Sequence, residues 1–467
     1  MHSATWWGST LLDGPGEDVV WIGRHSRVTR AQVRERVDEL VRLLDGHGIR
    51  PGQRVSVRAQ PSFTQLWVLL ALWSRDVQVV LVDPWLTGAE ADELLQLCAP
   101  GHQIRFGGPG RTTTPFRPES EVIVRPSTGG RPADTAHCLV QFSSGVAGVP
   151  KVIGRIGDSL MAEVLRFAAL DGMPTRGDRV LLLHSMSHSL GLVGGILHAL
   201  HAGATVVFTD RLGPDELLRT VEAEGITAIF GLPRQFEGMA QAATATLLPA
   251  VRLAVSGGEA LRPAVRDRFA ARCGVLIGQA YGMTEVGLIA ADLPGVHPPP
   301  AIGTPAPGMG VRVVDGELHV RQAASPYLHG GSWHGDGWLR TGDLVDRDAA
   351  GVLWLRGRVG SAPRVPGGGV DLMEVEAVLR AHDRVTEAVV VFGDVLEAHV
   401  AVTEAVGSAD LIGWCRTHLG NSGVPERVHV VAAIPRTANG KLIRDADRLR
   451  AAYSAAARAP RSGKRLA

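Results

Sequence analysis

Four apolar runs constrain this chain most: RVLLLHS (179–185), ATVVF (204–208), ITAIFGLP (226–233) and VRLAVSGG (251–258). Each is rich in Val, Ile and Leu, and each ends in small or polar residues. Strands read this way when helices cover both faces of a parallel sheet and no solvated face is left. Open sheets of that kind hold ligands beyond the C-terminal ends of their strands. The runs therefore predict an α/β fold whose chemistry sits just after them.

The N-terminal third shows the same alternation. TRAQVRERVDELVRLLDGHG, from Thr29, is a capped amphipathic helix, with Thr29 and Gln32 as a capping box and Val33, Val37, Leu40, Val41 and Leu44 on one face. Gly46 and Gly48 end it, RVSVRA (54–59) is a strand, SFTQLWVLLALWSR (62–75) a helix and VQVVLV (77–82) a strand. From about 300 to 356 the texture becomes Gly-rich short strands with no helical period, which reads as a small β subdomain. A final α+β unit starts near 358. DLMEVEAVLRAH is a helix with Asp371 and Glu374 as a capping pair, and EAVVVF, EAHVAV and VHVVAAI are strands around a helix at 408–419. The expectation is an N-terminal domain over 1–357, built of helix-covered, mostly parallel sheets, and a small mobile C-terminal domain over 358–467.

Charge and cysteine usage narrow the function classes. The 467 residues carry a net charge of +1, which supplies no field to recruit nucleic acid or an anionic membrane. The basic tail RAPRSGKRLA (458–467) is short and reads as a frayed terminus. Cys98, Cys138, Cys273 and Cys415 form no CxxC pair, which argues against a zinc or disulfide framework and for a reducing cytoplasm. The N-terminus, MHSATWWGSTLLDG, lacks the charged region and long apolar run of a signal peptide, and no stretch is apolar enough to span a bilayer.

FSSGVAGVPK (142–151) is the first candidate site. Gly145 and Gly148 let backbone N–H groups converge on an anion, and Lys151 adds a charge. It is no Walker loop, since Lys151 follows proline and no Ser or Thr comes next. Taken alone it is equally a strand-to-strand turn. Four later stretches follow in order: SGGEAL (256–261), YGMTEVG (281–287), WLRTGDLV (338–345) with LRGRVG (355–360), and PRTANGKLIR (435–444). Singly they too have ordinary readings. Tyr281 could be a core aromatic, Glu285 a helix-start carboxylate, Asp343 a turn cap, Arg358 a surface ion pair and Lys441 a solvated lysine at a hairpin tip.

Together, these motifs resemble the adenylate-forming superfamily of acyl- and aryl-CoA ligases, stand-alone adenylation domains and luciferases, over about residues 25–450. The resemblance implies ATP-dependent conversion of a carboxylate to an acyl-adenylate with release of pyrophosphate. Two anions must meet, so such a site needs Mg²⁺ and a cation at the reacting centre. It implies Glu285 as the Mg²⁺ ligand, Thr284 as a hydrogen-bonding partner of the α-phosphate, and Tyr281 stacked on adenine beside Gly282. Asp343 is implied as acceptor from the ribose hydroxyls, with Arg358 near the same sugar, and Lys441 as the bridge between carboxylate and phosphate oxygens. Ser143, Ser144, Gly145, Gly148 and Lys151 are implied around the β- and γ-phosphates, and Gly258 and Glu259 also in the nucleotide site.

Three departures from the family pattern matter. Val146 and Ala147 stand where the family usually carries Ser or Thr, and losing two neutral hydrogen bonds costs about 1–3 kcal/mol of ATP binding. The loop reads as a weakened cradle. Gly360 replaces an acidic or lysine hinge residue, which either suits a rotating domain that takes Lys441 away and brings residues 365–371 towards a thiol tunnel, or merely loosens a linker. HSMSHSLGLVGG (184–195) replaces the FDxS pattern of amino-acid-activating domains, so the Asp that grips an α-ammonium is not evident.

The expected substrate is accordingly a small aryl or short acyl acid without an α-amino group. His188 is assigned to line its pocket or to be a structural histidine, and Gly257, Gly258, Gly278, Gln279 and Ala280 to form the floor. The acceptor is the thiol of CoA or of a phosphopantetheinyl carrier protein acting in trans. Two alternatives stand: an amide synthetase with an amine acceptor, and a degenerate nucleotide-binding scaffold, motivated by Val146 and Ala147. Hydrolase and oxidoreductase chemistry lack a GxSxG elbow and a dinucleotide fingerprint.

Overall fold

The computed structural model describes residues 6–84, 86, 88–106, 116–143, 151–243, 247–359, 372–419, 423–436 and 442–458, with the backbone alone at 364–365, 368–369, 373 and 455–458. The chain divides into two compact units, Met1–Thr341 with Val345–Leu355, and Gly342–Leu344 with Arg356–Ala467.

The first unit is built on two sheets. The larger has 13 strands and the smaller seven. In the larger, Arg179–Leu182, Ala228–Gly231, Leu253–Gly257 and Ile277–Met283 run parallel as neighbours, each buried or nearly so. Thr205–Val207 flanks them, followed by the N-terminal hairpin Val19–Gly23 and Ser26–Thr29. The hairpin is invisible to helix–strand alternation, because its partner lies far along the chain. Helices Pro214–Ala223, Pro233–Gln241 and Pro263–Cys273 each start with Pro in the first turn, where a missing N–H costs nothing.

The smaller sheet has Gln78–Leu81, Arg54–Ala59 and His102–Phe106 at its centre in parallel. Helix Phe63–Ser74 is buried over all 12 residues, so its apolar residues surround it rather than forming a stripe. Helix Arg30–Gly46 carries the expected capping box. Gln32 N–H donates to Thr29 Oγ1 at 3.3 Å, and Gln32 Oε1 accepts from Thr29 N–H at 2.8 Å.

The short strands expected over 300–356 as a small β subdomain share a hydrophobic cluster that includes Leu318, Val320, Leu339, Val345 and Leu353, and they are continuous with the larger sheet. Ala301–Pro305 pairs antiparallel with Gly287–Asp292, and Leu353–Arg358 pairs with it in turn, so these strands extend the 13-stranded sheet. Close backbone approach permits this. A Cβ on Gly303, whose φ is +89°, would strike the backbone of Ala291.

The second unit packs three strands, Val385–Phe392, Leu396–Val402 and Arg427–Val431, with helices Leu372–Arg380, Ser408–Leu419 and Ala446–Arg458. The third strand ends at Val431, three residues short of the run VHVVAAI. The Asp371 half of the expected capping pair lies outside the described residues. Buried Glu376 stands inside this unit as an anchor. It accepts from Val390 N–H and pairs with Arg380 and Arg444.

Candidate active site

Ser143 and Lys151 are paired across antiparallel strands His137–Ser143 and Lys151–Ile156, so the Gly-rich loop joins two facing residues. Ser144, Gly145, Val146, Ala147 and Gly148 lie outside the described residues. Lys151, half-buried, reaches to 3.9 Å from Glu285 Oε1 and lies 5.2 Å from the centre of the Tyr327 ring. Tyr327 is carried there by strand Tyr327–His329, which adds antiparallel to the lysine's own strand.

Glu285 is only 4% exposed. It sits with Thr284 in the turn between strands Ile277–Met283 and Gly287–Asp292, and Tyr281 and Gly282 lie near the end of the first strand. The register shifts between Tyr281 and Gly282, a bulge of the kind that re-aims side chains beside functional sites. The Tyr327 hydroxyl donates to Glu285 Oε1 at 3.1 Å. Burial, then the adjacent Glu285 charge and this hydrogen bond, push the Tyr327 phenol well above its ordinary pKa, so it remains a donor.

A buried ion pair supports the turn from behind. Arg155 Nη2 meets Glu163 Oε2 at 2.9 Å, with both side chains at most 2% exposed. Glu163 Oε1 accepts from Leu288 N–H at 3.1 Å and from Ser189 Oγ at 2.8 Å, and Arg155 makes a long 3.5 Å contact to the Thr284 carbonyl. A Cβ on Gly287, at φ +77°, would collide with the Glu163 carboxylate. Sequence reasoning missed Arg155, Glu163 and Tyr327. One signal was available: Glu163 falls with Leu160, Val164 and Phe167 on the buried face of helix Gly157–Ala168.

The residues assigned to the acid pocket fall on neighbouring strand ends. Gly257 faces Ala280 in register, Ser256 faces Gln279 and Val255 faces Gly278. A Cβ on Gly257 would stand 2.6 Å from Ala280 O and from Leu190 Cδ2, and Gly258 has φ +82°. The bare side of Gly278 is filled by the Asp292–Leu293 backbone, and Gln279 Nε2 donates to Ala301 O, so both engage neighbouring backbone. Ala280 belongs to the apolar core, and Glu259 is half-buried just beyond Gly258. His188 is half-buried ahead of a π-helix, Leu190–Leu197, and its carbonyl accepts from Leu192 N–H at 2.8 Å. Such helices are rare and cluster at functional sites.

Within the second unit, Arg358 Nε meets Asp343 Oδ1 at 2.9 Å, and Val359 N–H donates to Gly342 O at 2.7 Å. The two residues assigned to one ribose are thus direct partners. Gly360 and Lys441 lie outside the described residues; Arg436 and Leu442, which bracket the latter's segment, form an antiparallel bridge. Residues 364–365 pair with 368–369 at the start of the VPGGGVD segment.

A buried carboxylate and a lysine facing it thus lie just past the end of Ile277–Met283, one of the parallel strands of an α/β fold. The AMP-binding enzyme family matches residues 12–326, and its C-terminal domain matches residues 374–441. The chain belongs to that family, within the adenylate-forming superfamily. Over 342 residues it is 31% identical to the anthranilate–CoA ligase of Pseudomonas aeruginosa, covering 66% of this chain and 66% of that ligase's length. The O-succinylbenzoate coenzyme A synthetase of Bacillus subtilis, in complex with ATP and magnesium ion, shares the fold at TM-score 0.80 and 20% identity, over 95% of this chain and 99% of the other. The amide bond synthetase McbA of Marinactinospora thermotolerans is 25% identical at TM-score 0.74, over 96% of this chain and 99% of its own. Among the described residues no helix is long and apolar enough to cross a membrane.

Proposed function

We propose that this chain uses ATP to activate a small carboxylic acid, aryl or short acyl, as an acyl-adenylate, and then passes the acyl group to the thiol of CoA or of a carrier protein. The observation carrying this reading is the convergence of Lys151 and Tyr327 on one oxygen of Glu285. The Glu285 carboxylate is a hard oxygen donor, the kind that suits Mg²⁺ bound to a triphosphate, and Thr284 beside it serves the α-phosphate. When bound, that ion neutralises phosphate charge as the carboxylate approaches.

The protein's own residues do the rest. Lys151 and the loop beginning at Ser143 steer the terminal phosphates, while Tyr281 and Gly282 pack the adenine. Asp343, oriented by Arg358, accepts from the ribose. Gly257, Gly258 and His188 shape the acid side, and Lys441 stabilises the charge shifting between carboxylate and α-phosphate.

The test is mass-spectrometric trapping of acyl-AMP across an aryl and short-chain acid library, with acid-dependent pyrophosphate exchange as the second readout. Lys441→Ala should lower exchange about 10²–10³-fold. Wild-type protein that forms no adenylate with any acid refutes the proposal. Repeating the reaction with CoA, with a holo carrier protein and with amines assigns the acceptor. The likeness to McbA makes the amine arm a reading in its own right.

A further inference from the structure

On the strands that precede the 435–444 motif, the second unit holds a cluster that adenylation does not use. Glu397 and His399 lie two residues apart on strand Leu396–Val402, and so share one face. His429, on the parallel strand Arg427–Val431, is the register partner of His399. One ligand atom from each of the three lies within 4.8 Å of the others.

The carboxylate divides its partners by oxygen. Glu397 Oε1 meets Arg427 Nη1 at 3.0 Å and Arg450 Nη1 at 3.3 Å. Oε2 instead faces the two imidazoles, at 3.6 Å from His429 Nε2 and 4.0 Å from His399 Nε2. The arginines thereby act as outer partners that fix the carboxylate's orientation, while its second oxygen points at two nitrogen donors.

His399 is 1% exposed, yet neither ring nitrogen has a hydrogen-bond partner. Its ring is held flat between His429, 4.7 Å away, and Tyr453, 5.5 Å away. Leaving a buried polar group unsatisfied is costly, and a native fold seldom does so without a ligand or a function. His429 is 46% exposed on its side chain, which provides an entry path from solvent.

We propose that Glu397, His399 and His429 form a binding site for a borderline transition-metal dication of the Zn²⁺ class, with solvent as the fourth ligand. Tetrahedral zinc separates its ligand atoms by about 3.4 Å, close to the spacings seen here, and the two imidazoles, stacked 18° from parallel, have to turn about their ring torsions to bring their in-plane lone pairs onto one ion. Two imidazoles and one carboxylate oxygen select Zn²⁺ or Co²⁺ over Mg²⁺. The ion would tie strand Arg427–Val431 to strand Leu396–Val402 within the second unit.

The experiment uses the full chain in excess Mg²⁺. Zn²⁺ is titrated against a chromogenic chelator, and Co²⁺ binding is followed by visible absorption. Wild type should take up one Zn²⁺ per chain and give an intense tetrahedral Co²⁺ band. His429→Ala, at a half-exposed position, should weaken uptake by about tenfold or more and abolish the band. His429→Cys should restore uptake and add a thiolate-to-cobalt charge-transfer band. Equal uptake by wild type and His429→Ala, no uptake by wild type, or a weak octahedral Co²⁺ spectrum overturns the proposal.

Discussion

The Tyr327 hydroxyl donates to Glu285 Oε1 at 3.1 Å, and Lys151 faces that same oxygen at 3.9 Å. A phenol held protonated by burial and a neighbouring negative charge thus fixes the rotamer of the carboxylate assigned to magnesium. Tyr327→Phe removes this donor while keeping the ring under Lys151. The apparent KM for Mg–ATP should rise about tenfold, as expected for a lost hydrogen bond to a charged group, while KM for the acid moves less than about twofold. Initial-rate kinetics at varied Mg–ATP check this.

Breaking the Arg155–Glu163 pair should be felt first as lost stability. Glu163→Gln leaves a guanidinium that is 2% exposed without its counter-charge, which costs about 3–5 kcal/mol. Urea unfolding of the variant should show a much lower midpoint with an unchanged slope.

Acid stability should carry the mark of His198. Burial holds its imidazole down to about 4, below the ordinary 6.5. Between those values the unfolded chain binds a proton that the folded chain refuses, so this contribution is complete above pH 6.5 and disappears as pH falls towards 4. The loss is about 3 kcal/mol over that window. His198→Gln should flatten the acid limb of the stability–pH curve, measured by denaturant unfolding at stepped pH.

Asp343→Asn should separate binding from folding. Its partner Arg358 is 65% exposed, and a pair so hydrated adds little to stability. The unfolding midpoint should stay near wild type while KM for ATP rises about tenfold through loss of a charged acceptor for the ribose.

Restoring hydroxyls to the Gly-rich loop should work in the opposite direction. Val146→Thr combined with Ala147→Thr should lower KM for ATP about tenfold, the effect of one to two recovered hydrogen bonds. An unchanged KM would show that the loop amides and Lys151 already saturate the phosphate contacts.

Features written in short stretches of chain were legible in advance. Thr29 and Gln32 satisfy each other within one helical turn, so the pattern alone announced the capping box. The parallel strands announced themselves through apolar runs with small residues at their ends. Contacts between distant segments were not legible. Nothing local says that Tyr327 will lie beside Lys151, because that depends on Tyr327–His329 choosing the Lys151–Ile156 edge. Arg155 and Glu163 were hidden for a related reason: a charge on an apolar face is read as a fault until its counter-charge is seen. Likewise, sequence shows the lengths of the short strands after residue 300 but not the sheet edge they extend.

The chain passes between its two units three times, at 341/342, 344/345 and 355/356, because Gly342–Leu344 groups with the C-terminal segment. For anyone recombining this protein with a relative, a single cut near residue 357 would therefore graft a foreign counterpart of Arg358 onto a resident Asp343. A breakpoint that keeps the native pairing has to carry the 342–344 tripeptide along with everything after 355.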